Sequence, residues 1–285
     1  MLDLIELLIF GTAIGGIFAL LASGFSLIFG VLRILNFAHG ACFAISAYLA
    51  ILLVRELSTD VYLASIFGIL FSVLIGLLIY AITRPIRSNV VMVIIVTLAF
   101  ALLIEQILLL SFGNRGITLK PFIEGVQVIY DNLRIARIRL MAIAIAIALL
   151  ILLDLFITRS LLGKRIQAVS EDIEASMLLG INVEKIFIIT IAISSALAGI
   201  AGILYAQIFS IYPAMILRVL IYAFAIVILG GLGSVRGSIV ASFIIGYVFV
   251  TTMKMLGAQW SEFVMLLTIV AILVVKPTGI FGVKG

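Results

Sequence analysis

The stretch RILNFAHGACF, residues 33–43, places Arg33, Asn36, His39 and Gly40 within eight positions of a chain whose surroundings are almost all hydrocarbon. His39 is the only histidine and Cys42 the only cysteine. One imidazole and one thiol cannot build a His/Cys metal site, which takes about four ligands when structural. A lone cysteine also leaves no internal disulfide and no information on redox compartment. The polar cluster can do one of two things: close a helix end with hydrogen bonds, or line a polar path through apolar surroundings. Enzyme signatures are missing. The sequence holds no H-E-x-x-H and no G-x-S-x-G. Its Gly163–Lys164 pair is followed by Arg165, so it is no nucleotide-binding P-loop. The expectation is a non-enzyme that binds no metal, no cofactor and no ATP of its own.

The other polar groups within apolar runs are Glu105, Gln106, Asp154 and Gln207. An ionised side chain at the bilayer centre costs roughly 2.5–3.5 kcal/mol even on the lenient insertion scale. Glu105 is therefore expected to face the bundle interior, a water-filled path or a partner subunit, the plainer alternative being a helix–helix hydrogen bond. Asp154 is expected at a membrane surface, close to Arg159.

These residues are carried by long greasy elements. Of 285 residues, 65% are hydrophobic and 11% charged, against roughly a quarter charged in soluble domains. Apolar runs of about 20 residues, long enough to cross the hydrocarbon core, recur throughout. They are continuous, as in AIAIAIALLILLDLFI, and lack the alternation of barrel strands. The fold class is all-α: one polytopic transmembrane bundle, residues 1–285. Spans are expected at 4–30, 34–54, 61–82, 90–112, 140–157, 186–211, 217–232, 238–255 and 260–275. The seventh and ninth are short, so the count is about eight or nine. No cleavable signal peptide is expected, because MLDLIELLIF begins acidic. The net charge of +5 is read as basic loops facing anionic lipid, not as a nucleic-acid surface.

Two connections are long. Residues 113–139 mix turn residues with short β-like runs. Residues 158–185 carry a different signal: Ser170 is placed to cap a short helix whose first turn holds Glu171, Asp172 and Glu174, against the positive dipole end. Gly180 then stops it. Ile173, Met177 and Leu178 share one face, an apolar stripe that needs a partner. That partner is a second protein, the chain's own bundle or the lipid interface. Placing this loop in the cytoplasm puts the N-terminus outside and the C-terminus inside. The 113–139 loop then lies outside with five basic and two acidic residues, against the positive-inside tendency.

Small residues mark close helix approach. They are dense in ISSALAGIAGILYAQIF, residues 193–209, and Gly11 and Gly15 form a G-x-x-x-G. In ILGGLGSVRGSIVASFIIG, the glycines Gly230, Gly231, Gly233 and Gly237 do not fit a dinucleotide fingerprint. They are expected at a helix break or sharp turn, near a gate.

Three of these stretches together resemble the permease subunits of branched-chain amino-acid ABC transporters: GFSLIFGVLRILNFAHGACFAISAYLA, then TRSLLGKRIQAVSEDIEASMLLGINVEKI with SALAGIAGIL, then GGLGSVRGSIVASFIIG. The resemblance covers nearly the whole chain, and NFAHG with the 172–182 stretch is its most specific part. It implies the shorter of two paired permeases in a prokaryotic cytoplasmic membrane. It implies as partners a second permease chain (identical or different), two cytoplasmic ATPase subunits that bind ATP and Mg, and an extracytoplasmic solute-binding protein. The 163–182 loop would hold the coupling helix, with Ser170, Glu171, Asp172, Ile173, Glu174, Ala175, Met177, Leu178, Gly180 and Asn182 meeting the ATPase. The 113–139 loop would face the binding protein. Asn36, His39, Gly40 and Glu105 become candidates for the translocation path. The implied cargo is branched-chain or other hydrophobic amino acids, with urea, amides or aromatic acids as alternatives. An ion-coupled secondary transporter is the rival of a different class.

Overall fold

The computed structural model describes residues 2–128, 134–276 and 278–281. In chain order the elements are helices α1 (Leu2–Leu32), α2 (His39–Glu56), α3 (Val61–Thr83) and α4 (Val90–Phe112), and strands β1 (Val126–Val128) and β2 (Arg134–Ala136). Helices α5 (Arg137–Arg159), α6 (Leu161–Glu171), α7 (Ile173–Leu178), α8 (Val183–Ile208), α9 (Met215–Gly230), α10 (Val235–Met255) and α11 (Ala258–Val275) follow. A 3₁₀ turn at Arg84–Ile86 joins α3 to α4.

Among the described residues, 8 helices are long and apolar enough to span a membrane; α9 is shorter, at 16 residues. A helix of 23 residues, such as α4, is about 35 Å long, enough to cross the hydrocarbon core. Capping residues fix where several spans start. The side chains of Asp60, Asn89, Asn182 and Ser234 each accept a backbone N–H from the first turn of α3, α4, α8 and α10. The start of the second span departs furthest from expectation. The second span begins at His39, not at residue 34, because residues 33–38 leave the helical path before α2 starts.

The centre of the bundle is α1, α2 and α8. In both α2 and α8, 67% of the span is buried, against 17% in α11. With no hydrophobic force between helices in lipid, close approach has to come from small residues and polar contacts. The dense small-residue stretch of α8 supplies both. The Ser46 hydroxyl of α2 lies 2.7 Å from the Gly199 carbonyl, and Ser72 of α3 donates to the Ser195 carbonyl at 2.9 Å. Gly15 of α1 meets Gly246 of α10 backbone to backbone.

The two ends of the bundle differ. At one end β1 and β2 pair antiparallel, Gln127 opposite Ile135, with residues 129–133 outside the described residues. The connection before them folds over α8: Leu119 N–H bonds the Ala206 carbonyl and Phe122 N–H bonds Gln207 Oε1, 2.8 and 3.3 Å. Ion pairs Glu6–Lys254 and Arg218–Glu262 close this hairpin end, at 2.8 and 3.1 Å. The opposite end carries α6 and α7. There Asp154, near the end of α5 that also carries Arg159, pairs with Arg236 of α10 at 2.7 Å. The loop after α3 is held to α8, with Glu184 bonding Arg84, Arg87 and the Tyr80 hydroxyl.

Candidate functional site

The α6–α7 elbow is built from caps. Ser160 accepts the Gly163 N–H and starts α6, which runs to Glu171. Ser170 therefore sits inside the last turn of α6, its hydroxyl spent on the Gln167 carbonyl at 2.7 Å. The expected cap at Ser170 is corrected to Asp172, whose Oδ1 accepts the Ala175 N–H at 2.9 Å and starts α7. Glu171 falls outside the first turn of α7 and Glu174 within it. Gly180, at φ +77°, stops α7 with the Gly180 N–H to Met177 carbonyl and Ile181 N–H to Ser176 carbonyl pair of a Schellman turn. Asn182 then caps α8 through the Lys185 N–H.

Burial divides the elbow into two faces. Ile166 and Val169 of α6 are buried, Ser176 of α7 is buried, and Ile173 packs partly buried against the same cluster. Ile173 thus points home, not into the outward stripe expected for it. The outward apolar group is Met177, Leu178 and Leu179, exposed by 53%, 90% and 80%. Leu179 is the residue that sequence reasoning missed. Its N–H still reaches the Ala175 carbonyl, so the helical path carries it round beside Leu178. Glu174 and Ala175 are exposed beside them. A polar cleft of about 390 Å³, lined by Ser26, Asp154, Gln167, Glu171, Ser234 and Arg236, separates the elbow from the ends of α1, α5 and α10.

The break before α2 lies directly inside this end. Asn36 Oδ1 accepts the Ala38 N–H, and the Asn36 carbonyl accepts the His39 N–H. His39 is 1% exposed, its Nε2 3.1 Å from the Leu21 carbonyl, which requires the hydrogen on that nitrogen. Its ring meets Phe25 edge-on at 5.7 Å. Gly40 packs against the Ile216 carbonyl of α9, where no Cβ fits. Asn36, His39 and Gly40 are thus enclosed within the subunit. Asn36 bonds its own turn, His39 meets the middle of α1, and Gly40 abuts α9.

Glu105 and Gln106 occupy a different place. On α4, Gln106 faces outward beside Leu102, Leu103, Ile107 and Leu110, and Glu105 is half-buried. Its Oε2 is enclosed and has no hydrogen-bond partner among the described residues.

The glycine cluster forms the α9–α10 turn. Gly231 and Gly233 have φ of +102° and +83°, and Gly230 lies against Gly237 with no room for a side chain on either. The residues after α11 complete it: Ile280 N–H bonds the Leu229 carbonyl and Phe281 N–H the Gly230 carbonyl, 2.7 and 3.1 Å. These carbonyls end α9 and would otherwise lack donors.

Known proteins give this arrangement its family. Residues 7–273 match the family described as branched-chain amino acid transport system, permease component. The chain is 26% identical to the high-affinity branched-chain amino acid transport permease LivH of Escherichia coli, over 95% of this chain and 93% of that one. It is 26% identical to BraD of Pseudomonas aeruginosa, covering 98% and 95%. A probable LivH permease of Methanocaldococcus jannaschii is 28% identical over 99% and 94%. Among solved structures, PsaBC from Streptococcus pneumoniae in complex with Fab shares the fold at a TM-score of 0.50 and 15% identity, covering 93% of this chain and 89% of that one. With eight span-length helices among its described residues, the chain is a multi-pass protein of the prokaryotic cytoplasmic membrane, and it belongs to the family of branched-chain amino acid transport permease components.

Proposed function

We propose that this chain is the translocation subunit of an ATP-driven importer of branched-chain amino acids. It pairs with a second permease chain, docks on two cytoplasmic ATPase subunits through the α6–α7 elbow, and receives cargo from an extracytoplasmic binding protein at the hairpin end. The observation that carries this reading is the outward group of Met177, Leu178 and Leu179 on a helix capped at both ends. Exposed apolar side chains on a rigid six-residue helix fit a protein groove, and a capped helix passes on force without bending. The 163–182 loop is then cytoplasmic and the 113–139 loop extracytoplasmic. ATP and Mg belong to the docked subunits.

Glu105 and Gln106 mark the path. A carboxyl and a carboxamide within a span are retained where they meet protein or water instead of lipid, and the outward position of Gln106 gives that role to a surface the second permease completes. Asn36, His39 and Gly40 set the geometry of the α1–α2 break beside it.

The test is leucine uptake into proteoliposomes holding the full transporter with its binding protein. Uptake is expected to need ATP and to survive ionophores that collapse ion gradients. Uptake without ATP that vanishes with the gradient overturns the reading in favour of an ion-coupled carrier.

A further inference from the structure

Arg33 is the first residue of the polar cluster in the 33–43 stretch and stands where α1 ends. We infer that Arg33 and the break it opens are the mechanical link between the α6–α7 elbow and the polar face of α4. The inference rests on the proposed docking of that elbow on an ATPase.

Arg33 ends α1 at φ +54°, a left-handed conformation that residues with a Cβ rarely adopt. Its own N–H still closes the last turn of α1 on the Phe29 carbonyl at 2.9 Å. The turn aims its guanidinium at the end of α6. Nη2 lies 3.1 Å from the Glu171 carbonyl and 3.5 Å from the Ser170 carbonyl. Both carbonyls belong to the last turn of α6, where the helix supplies no donor and the dipole is negative. One residue later Asp172 starts α7. Arg33 therefore grips the elbow at its hinge.

The break moves with what Arg33 holds. Ile34 is buried in one cluster with Ile166 and Val169 of α6. Three residues on, the Phe37 N–H donates to Thr97 Oγ1 of α4 at 3.2 Å. Thr97 is 1% exposed and its hydroxyl also reaches the Val93 carbonyl of its own helix at 2.8 Å. Glu105 lies eight residues further along α4, about 12 Å of helix rise. A displacement of the elbow thus reaches the α4 path face through one side chain, a short non-helical segment and one backbone hydrogen bond. The open cleft that Ser170 and Glu171 line beside this contact leaves α6 room to move against α5 and α10.

The experiment uses the full transporter in proteoliposomes, reading ATP hydrolysis and leucine import together. Arg33→Gly removes the guanidinium and suits the left-handed backbone, so folding is spared. ATPase co-purification and hydrolysis should stay at the wild-type level, while leucine imported per ATP falls by about fivefold or more, the usual size of an allosteric coupling. Thr97→Val replaces the hydroxyl that accepts from Phe37 and donates within α4 by a methyl; it should move the same ratio, and Thr97→Ser should restore it. If both contacts serve one relay, the double variant falls no further than the lower single one. Import per ATP within about twofold of wild type in Arg33→Gly, or losses that multiply in the double variant, overturns the link. Leu178→Asp separates the two readings. If it leaves the ATPase bound, the docking itself is wrong; if it releases the ATPase while Arg33→Gly stays coupled, only the relay falls.

Discussion

Gly230, the last residue of α9, lies backbone against backbone with Gly237 in the first turn of α10, and a Cβ on either would overlap the other's main chain. The neighbours in this contact are peptide groups, which cannot rotate away as a side chain can. Gly237→Ala and Gly230→Ala should each cost about 1–3 kcal/mol, the range for inserting a methyl group into packed structure. Thermal unfolding in detergent measures it, and an unchanged midpoint in both variants contradicts the close contact. Because residues 280 and 281 bond the end of α9, their loosening should accompany the loss.

The two faces of the α6–α7 elbow predict opposite phenotypes from the same substitution. Leu178 is 90% exposed, so Leu178→Asp should leave insertion and thermal stability unchanged. Removing an apolar anchor from an interface centre typically costs about 2 kcal/mol or more, roughly thirtyfold in affinity. ATPase association should weaken by that order. Ile173 packs against the cluster containing Ile166 and Val169, so Ile173→Asp should destabilise the permease itself. Pull-down of the ATPase, run beside a melting curve, separates the two.

Much of this was legible in the chain, for identifiable reasons. Span existence followed from run length alone, and the α4 boundaries at Val90 and Phe112 coincide with the greasy run between Asn89 and Gly113. The elbow's outline was readable because Gly180 and the acidic run around residue 172 are strong helix punctuation. Its cap is not legible locally, because Ser170 and Asp172 have equal capping propensity, and only the continuation of α6 to Glu171 decides between them. Periodicity groups Ile173 with Met177 and Leu178 on one face without saying which face the bundle covers. The Asp154–Arg236 pair and the Glu184 cluster join residues tens of positions apart, a proximity that helix packing creates and local pattern does not encode.

The corrected cap makes its own prediction. Asp172→Ala should destabilise α7 by about 1 kcal/mol, while Asp172→Asn, which keeps the acceptor, and Ser170→Ala should be nearly neutral. Gly180→Ala should cost about 1–2 kcal/mol, because a Cβ opposes φ +77°. The readout is hydrogen exchange at the Ala175 amide, which donates to Asp172. Faster exchange in Ser170→Ala than in Asp172→Ala would restore the cap to Ser170.

Glu105 distinguishes a path from a packing contact. Its Oε2 is enclosed without a partner among the described residues, so it contributes no hydrogen bond that would hold the isolated subunit together. Replacing it with leucine removes a polar group whose charged form costs roughly 2.5–3.5 kcal/mol in hydrocarbon, and Glu105→Leu should insert and melt at least as well as wild type. If the side chain instead faces a wet path completed by the second permease, import should fall in Glu105→Leu with ATPase binding intact. Glu105→Gln keeps a polar side chain of the same length and should retain most of the import. Gln106→Leu, on the adjoining outward position, should lower import by a smaller factor or weaken pairing with the second permease. Full leucine uptake in Glu105→Leu, measured in the same proteoliposomes, would remove α4 from the path and leave its carboxyl unexplained.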